Sequence, residues 1–166
     1  MAPRVLISDA LSPAAVQIFK DRGIGIDVRA TTLPEKTFLP GLDISYGAIL
    51  ADEARLAYPG DMLHEAGHLA VTDPAERNAP TLSPSGGDEL TAIAWSYAAL
   101  RHLELDPTIV FHANGYKGGA ESIAENFNAG HYFGVPLLQL YGMSFEPRQA
   151  AEKGVAPYPN MLRWLR

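Results

Sequence analysis

The chain has 166 residues, of which 47% are apolar and 19% are charged, a composition that predicts a folded globular domain rather than a disordered chain. The formal net charge of −6 argues against binding to nucleic acid or to anionic lipid. There is no cysteine, so disulfides, thiolate metal sites, iron–sulfur clusters and a cysteine nucleophile are all excluded. No apolar run reaches about 18 residues and the N-terminus does not resemble a signal peptide, so we expect a cytoplasmic protein with no membrane partner.

The first third of the chain predicts strands that are interrupted by one helix. Apolar runs and alternating patterns place the strands at residues 4–9, 24–32, 42–52 and 54–58. Ser12 followed by Pro13 is a favourable helix start between the first two strands. The last two strands form a predicted hairpin that turns at Asp52 and Glu53.

The rest of the chain predicts helices. Helical periodicity and cap signals place them at residues 61–71, 88–103, 119–128 and 135–141, with a polar Pro/Gly/Ser loop at 75–87. Because strands come early and helices late, the sequence predicts an α+β fold. We expect a single domain over residues 1–166, with 1–28 as a strand–helix start, 42–142 as the core and 143–166 as an irregular tail.

The predicted helix at residues 61–71 carries an HExxH motif. His64 and His68 are four positions apart, so their imidazoles lie on one helix face, about 6 Å apart along the axis, and can converge on one zinc ion. Glu65 lies at the flank of that face, where it can act as a general base on a zinc-bound water without ligating the metal. Gly67 costs a helix about 1 kcal/mol relative to Ala, which indicates that another element approaches closely there.

A catalytic zinc site uses a third protein ligand and keeps one position open. The longer HExxHxxGxxH form, which supplies a third histidine, is absent from the sequence. We therefore expect a carboxylate ligand and favour Glu89, in the first turn of the next helix, where small Ala92 and Ala94 permit close packing against the motif helix. Asp88 is the alternative, although an Asp before a helix is more simply its N-cap.

His64-Glu65-x-x-His68 followed by Glu89-x-x-Ala92 resembles the gluzincin arrangement of small zinc metallopeptidases, and it looks most like the compact ImmA/IrrE-type zincins. The resemblance covers residues 46–100. It implies a zincin-like domain in which a small twisted sheet packs on the motif helix and on the helix that carries Glu89. It also implies Zn²⁺ as cofactor, His64, His68 and Glu89 as its ligands, Glu65 as general base, and a peptide or protein substrate in a cleft beside the hairpin edge.

Zincins usually also have a donor that stabilises the oxyanion of the reaction. The candidates are His112, Tyr116, His131 and Tyr132, each of which also has a purely structural interpretation. Among them we favour His131 and Tyr132, because a loop that follows a helix stop can direct both side chains.

Residues 1–28 separately resemble the start of D-3-phosphoglycerate dehydrogenase, in which a strand, a Ser-Pro-capped helix and a second strand open the substrate-binding domain. A dinucleotide enzyme also needs GxGxxG between a strand and a helix, and no such string occurs here. Three functions therefore follow from the sequence. We favour a zinc metallopeptidase; the alternatives are a non-catalytic zinc-binding regulatory or interaction domain, and a dehydrogenase-related fragment without a cofactor site.

Overall fold

A computed structural model describes the backbone of Arg4–Ile7 and Gly25–Val28, residues Leu33 and Thr37, and residues 39–166. The chain groups into two compact units, Met1–Met62 with Pro74–Ser83 and Leu63–Asp73 with Pro84–Arg166. The single domain expected over 1–166, with its subdivision, stays a prediction. The helix predicted from Ser12 lies outside the described residues.

The first unit contains a four-stranded mixed sheet with the order β2-β1-β4-β3. Its strands are β1 (Arg4–Ile7), β2 (Gly25–Val28), β3 (Leu42–Ser45) and β4 (Ala48–Ala51). Strand β1 is parallel to both β2 and β4, with Arg4 opposite Gly25 and Ala48. Strand β3 is antiparallel to β4 and pairs Leu42 with Ala51. The two early strands and a hairpin are therefore present, as the sequence predicts.

The hairpin turns at Tyr46 and Gly47, earlier than the sequence predicted. Both residues have a left-handed φ, 49° and 73°, as the favoured two-residue hairpin turn requires. The predicted turn at Asp52 and Glu53 was wrong, and the expected second strand at 54–58 forms turns instead. The Asp52 carbonyl accepts hydrogen bonds from the backbone N–H groups of Arg55 and Leu56, at 3.1 and 2.9 Å, and these bonds form a local turn.

The helices follow the sheet in the chain and, apart from the first two residues of α1, belong to the second unit. They are α1 (Asp61–Val71), α2 (Gly86–Leu103), α3 (Ala120–Asn128), α4 (Val135–Leu140) and α5 (Pro147–Lys153), with 3-10 turns at Pro107–Ile109 and Tyr116–Gly118. The first four confirm the predicted helices, whereas α5 was missed although Pro147 at its start and Gly154 at its end are good helix signals. None of the helices in the described ranges has the length and apolarity to cross a bilayer.

The structure therefore mixes α and β elements, with the described strands before the helices. This agrees with the predicted order of elements. The specific zincin fold, including the packing of the sheet on the motif helix, stays a prediction.

Helix α2 lies at the centre of the second unit's core, since its residues 91–100 are all buried. It makes backbone contact with α1 at Gly67, where an added Cβ would lie 2.9 Å from the Ala92 carbonyl oxygen and 3.2 Å from Ser96 Oγ. The Ser96 hydroxyl donates to the Ala92 carbonyl at 2.7 Å and lies 3.4 Å from the Leu63 carbonyl of α1. The close approach expected at Gly67 is confirmed, and it fixes the distance between the two helices that carry the candidate ligands.

Candidate metal centre

Helices α1 and α2 bring His64, His68 and Glu89 together. His64 and His68 lie one turn apart on α1, and their Nε2 atoms are 3.1 Å apart. From the first turn of α2, Glu89 places Oε1 3.3 Å from His64 Nε2 and Oε2 3.1 Å from His68 Nε2. The three side chains therefore form a group that can hold a metal ion.

The distances within this group fit a tetrahedral ion with short bonds. Bonds of about 2.0–2.1 Å at tetrahedral angles place neighbouring ligand atoms roughly 3.3–3.4 Å apart. The two Nε2 atoms are 3.1 Å apart, and each lies 3.1 or 3.3 Å from a different oxygen of Glu89, so all three separations are close to this value. Two imidazoles with one carboxylate are also a donor set used by catalytic zinc, which leaves the fourth position open.

The group is buried on its histidine side and open on its carboxylate side. His64 and His68 are 8% and 2% exposed, whereas the Glu89 side chain is 43% exposed. Hydrogen bonds from His64 and His68 hold the pKa of the Glu89 carboxyl well below its usual range. Glu89 is therefore an anion at neutral pH, and its free side faces solvent from which a cation can enter.

The first turn of α2 separates the roles of Asp88 and Glu89. Ser85 is the N-cap, and its Oγ accepts a hydrogen bond from the Asp88 N–H at 3.3 Å. In return, the Asp88 carboxylate accepts hydrogen bonds from Ser85 N–H at 2.9 Å and from Ser85 Oγ at 2.7 Å. Asp88 is thus the third residue of a capping box rather than the N-cap itself, and Glu89 is the acidic residue that faces the histidines.

Glu65 follows His64 on α1 and is 1% exposed. Among the described residues, the group whose ligand atoms lie within 4.8 Å of one another consists of His64, His68 and Glu89, and Glu65 is not part of it. This is the arrangement expected of a glutamate that does not ligate the metal. Its role as general base stays a prediction.

The favoured oxyanion pair lies in another part of the second unit. The Tyr132 ring packs 4.6 Å from the Tyr158 ring and 5.7 Å from the Phe127 ring, in an aromatic cluster of the core. His131 is exposed just after α3. No described contact joins either residue to the three candidate ligands, so the proposed role of the pair stays a prediction.

Tyr116, another of the four candidates, contacts the metal group. Its ring centroid lies 5.3 Å from that of His64, with the ring planes at 79°. His112 precedes it in the same loop, and its ring would lie 3.3 Å from a Cβ added at Gly115. Sequence reasoning named Tyr116 but did not favour it, because nothing in the local pattern shows that this loop returns to the motif helix.

Comparison of the chain with protein-family models, with curated proteins and with solved structures finds no match. The resemblances to ImmA/IrrE-type zincins and to the start of D-3-phosphoglycerate dehydrogenase therefore depend on the quoted residues alone.

Proposed function

We propose that the chain is a zinc-dependent hydrolase, specifically a metallopeptidase, in which His64, His68 and Glu89 hold the metal. The observation that carries the proposal is the convergence of two Nε2 atoms and one carboxylate within 3.3 Å of one another, beside a buried glutamate. When bound, zinc would polarise a substrate carbonyl and ease the ionisation of a water molecule at neutral pH.

The protein itself would supply two things to this chemistry: Glu65 as the general base, and an open side of the site, at Glu89, for the substrate. Glu65 would accept the proton of the attacking water and later deliver it to the leaving amine. Its burial keeps bulk solvent away from the carboxylate. The half-exposed Glu89 marks the open side of the site, through which a peptide carbonyl would reach the metal.

The proposal is tested by separating metal binding from hydrolysis. Purified protein should contain about one zinc per chain by elemental analysis, and His64→Ala should contain almost none. Glu65→Gln should keep its zinc while the rate of peptide cleavage falls by roughly 10²–10⁴-fold, because only the base is lost. The substrates are a library of quenched fluorescent peptides, with the apo protein as the negative control.

A non-catalytic zinc-binding domain is the second candidate, and the deep burial of Glu65 and both histidines favours it. In that case zinc binds and raises the Tm, yet no peptide of the library is cut at stoichiometric zinc, and Glu65→Gln behaves as the wild type. In a dehydrogenase-related fragment without a cofactor site the HExxH motif is accidental, so the protein would bind no zinc. About one zinc per wild-type chain, lost in His64→Ala, removes that alternative.

A further inference from the structure

We propose, on the premise of the metal centre above, that Tyr116 is its positioning residue. The Tyr116 ring packs against His64 and fixes the orientation of that imidazole, so that Nε2 stays directed at the metal. The inference concerns the ring of Tyr116 rather than its hydroxyl, and it assigns to this residue the task of holding a ligand rather than of reacting.

Such a residue is needed because the second ring nitrogen, Nδ1, of each ligand histidine makes no hydrogen bond within the described part of the chain that would fix the ring. A metal-binding imidazole usually donates its other N–H to a carboxylate or carbonyl, and this hydrogen bond fixes the plane of the ring. Here Nδ1 of His64 and Nδ1 of His68 are buried and have no hydrogen-bond partner within the described part of the chain. On the Nδ1 side, the orientation of the His64 ring therefore comes from packing.

Two aromatic contacts supply packing for the His64 ring. The Tyr116 ring meets it edge to face, at 5.3 Å and 79°, and the His68 ring meets it at 4.6 Å and 80°. Tyr116 in turn contacts Phe111 at 5.4 Å, and Phe111 is buried in the hydrophobic core of the second unit. A continuous series of rings thus connects the core to the metal ligands, and Tyr116 is the member that joins the two.

The backbone at Tyr116 is held in a conformation that its side chain does not favour. Tyr116 and Lys117 have consecutive left-handed φ angles of 53° and 54°, which is uncommon for residues other than glycine. Gly118 and Gly119 donate hydrogen bonds back across this turn, each at 3.0 Å. Such a conformation persists only where the surroundings hold it, and the packing of the Tyr116 ring against Phe111 and His64 is one contact that contributes.

The test measures zinc affinity by chelator competition in the full chain. Tyr116→Phe keeps the ring and should bind zinc within about 2- to 3-fold of the wild type, whereas Tyr116→Leu should weaken binding roughly 10–100-fold, the usual effect of losing an orienting partner. The matched control is Tyr141→Leu, which removes another partly buried tyrosine ring from the same core and should leave zinc affinity unchanged.

A second measurement distinguishes ligand positioning from general loss of stability. The cobalt-substituted protein reports the geometry around the metal in its visible absorption bands, and these should shift in Tyr116→Leu but not in Tyr116→Phe or Tyr141→Leu. If Tyr116→Leu does not fold by circular dichroism, Tyr116→Met replaces it, because the flexible methionine side chain adapts to irregular gaps without supplying a ring.

Two results overturn the inference, and they are distinguishable. If the wild type binds zinc and the ringless variants bind it equally well with unchanged cobalt spectra, the positioning role is wrong while the proposed function stands. If the wild type binds neither zinc nor cobalt, the metal centre itself is wrong and the role of Tyr116 fails with it.

Discussion

Gly67→Ala tests whether the contact between α1 and α2 sets the geometry of the metal centre. The new methyl group would lie 2.9 Å from the Ala92 carbonyl oxygen, 3.2 Å from Ser96 Oγ and 3.3 Å from Ala92 Cα. Two of these three neighbours are backbone atoms, which cannot rotate away. The helices must therefore separate, and the separation is transmitted to Glu89, which lies less than one turn before Ala92 on α2.

The size of the effect follows from the contact distances. Opening the contact with the Ala92 oxygen from 2.9 Å to an ordinary 3.4 Å needs a movement of about 0.5 Å. Overpacking of this kind costs about 1–3 kcal/mol, while the alanine gains about 1 kcal/mol of helix propensity, so the free energy of unfolding of the apo protein should fall by roughly 0–2 kcal/mol. Metal–ligand distances are held to about ±0.2 Å, and we therefore expect zinc affinity to fall by at least about 10-fold.

The assay combines urea unfolding of the apo protein with zinc affinity by chelator competition. Gly86→Ala is the matched control, since Gly86 lies in the same first turn as Glu89 and an added Cβ there meets nothing within 4 Å. It should leave zinc affinity unchanged and leave stability equal or raise it by up to about 1 kcal/mol. A Gly67→Ala protein that binds zinc as tightly as the wild type would refute the idea that this contact positions Glu89.

Three further predictions concern the cap, the metal and a buried phenol. Ser85→Ala should lower the free energy of unfolding in urea by about 0.5–2 kcal/mol and weaken zinc binding, because the turn that carries Glu89 loses its capping box. Unchanged zinc affinity would show that the cap does not position Glu89. Acidification from about pH 7 to pH 5 should release zinc in a chelator assay, because protons compete for the imidazole nitrogens while Glu89, with its lowered pKa, stays ionised; constant affinity over this range would argue against histidine ligands. Burial raises the pKa of the Tyr158 phenol, so its contribution to the free energy of unfolding is complete below about pH 10 and falls above it by up to about 1.4 kcal/mol per pH unit. Tyr158→Phe should flatten this loss of stability at alkaline pH. An unchanged slope of unfolding free energy against pH would contradict the prediction.

Much of the candidate site was predictable from the sequence because its main determinants are local. The spacing of His64 and His68 on one helix fixes their common face without any tertiary information. The acidic first turn of the next helix limited the third ligand to Asp88 or Glu89. The capping residue was assigned wrongly, since α2 begins at Gly86, two residues earlier than its apolar periodicity suggests, with Ser85 as its N-cap, and this shift turns Asp88 towards Ser85.

The remaining features depend on contacts that sequence patterns do not encode. Tyr116 meets His64 only because a loop 52 residues further along the chain folds back to α1, and no periodicity reports such a return. The hairpin turn was misplaced because the polar pair Asp52-Glu53 looks more like a turn than Tyr46-Gly47 does, although Gly47 provides the left-handed residue that a tight turn requires.

The three candidate ligands are held in place by different interactions, and metal binding is therefore coupled to the stability of the contact between α1 and α2. The rise of one helix turn fixes His64 against His68, whereas Glu89 is held relative to both by the packing of α1 on α2 and by its hydrogen bonds with them. A bound metal would join the two helices directly, and at a free zinc concentration of about 100 times its Kd it would stabilise the folded state by about 2.7 kcal/mol. Substitutions between the helices should therefore weaken metal binding before they unfold the protein, and metal should restore part of the stability that they remove.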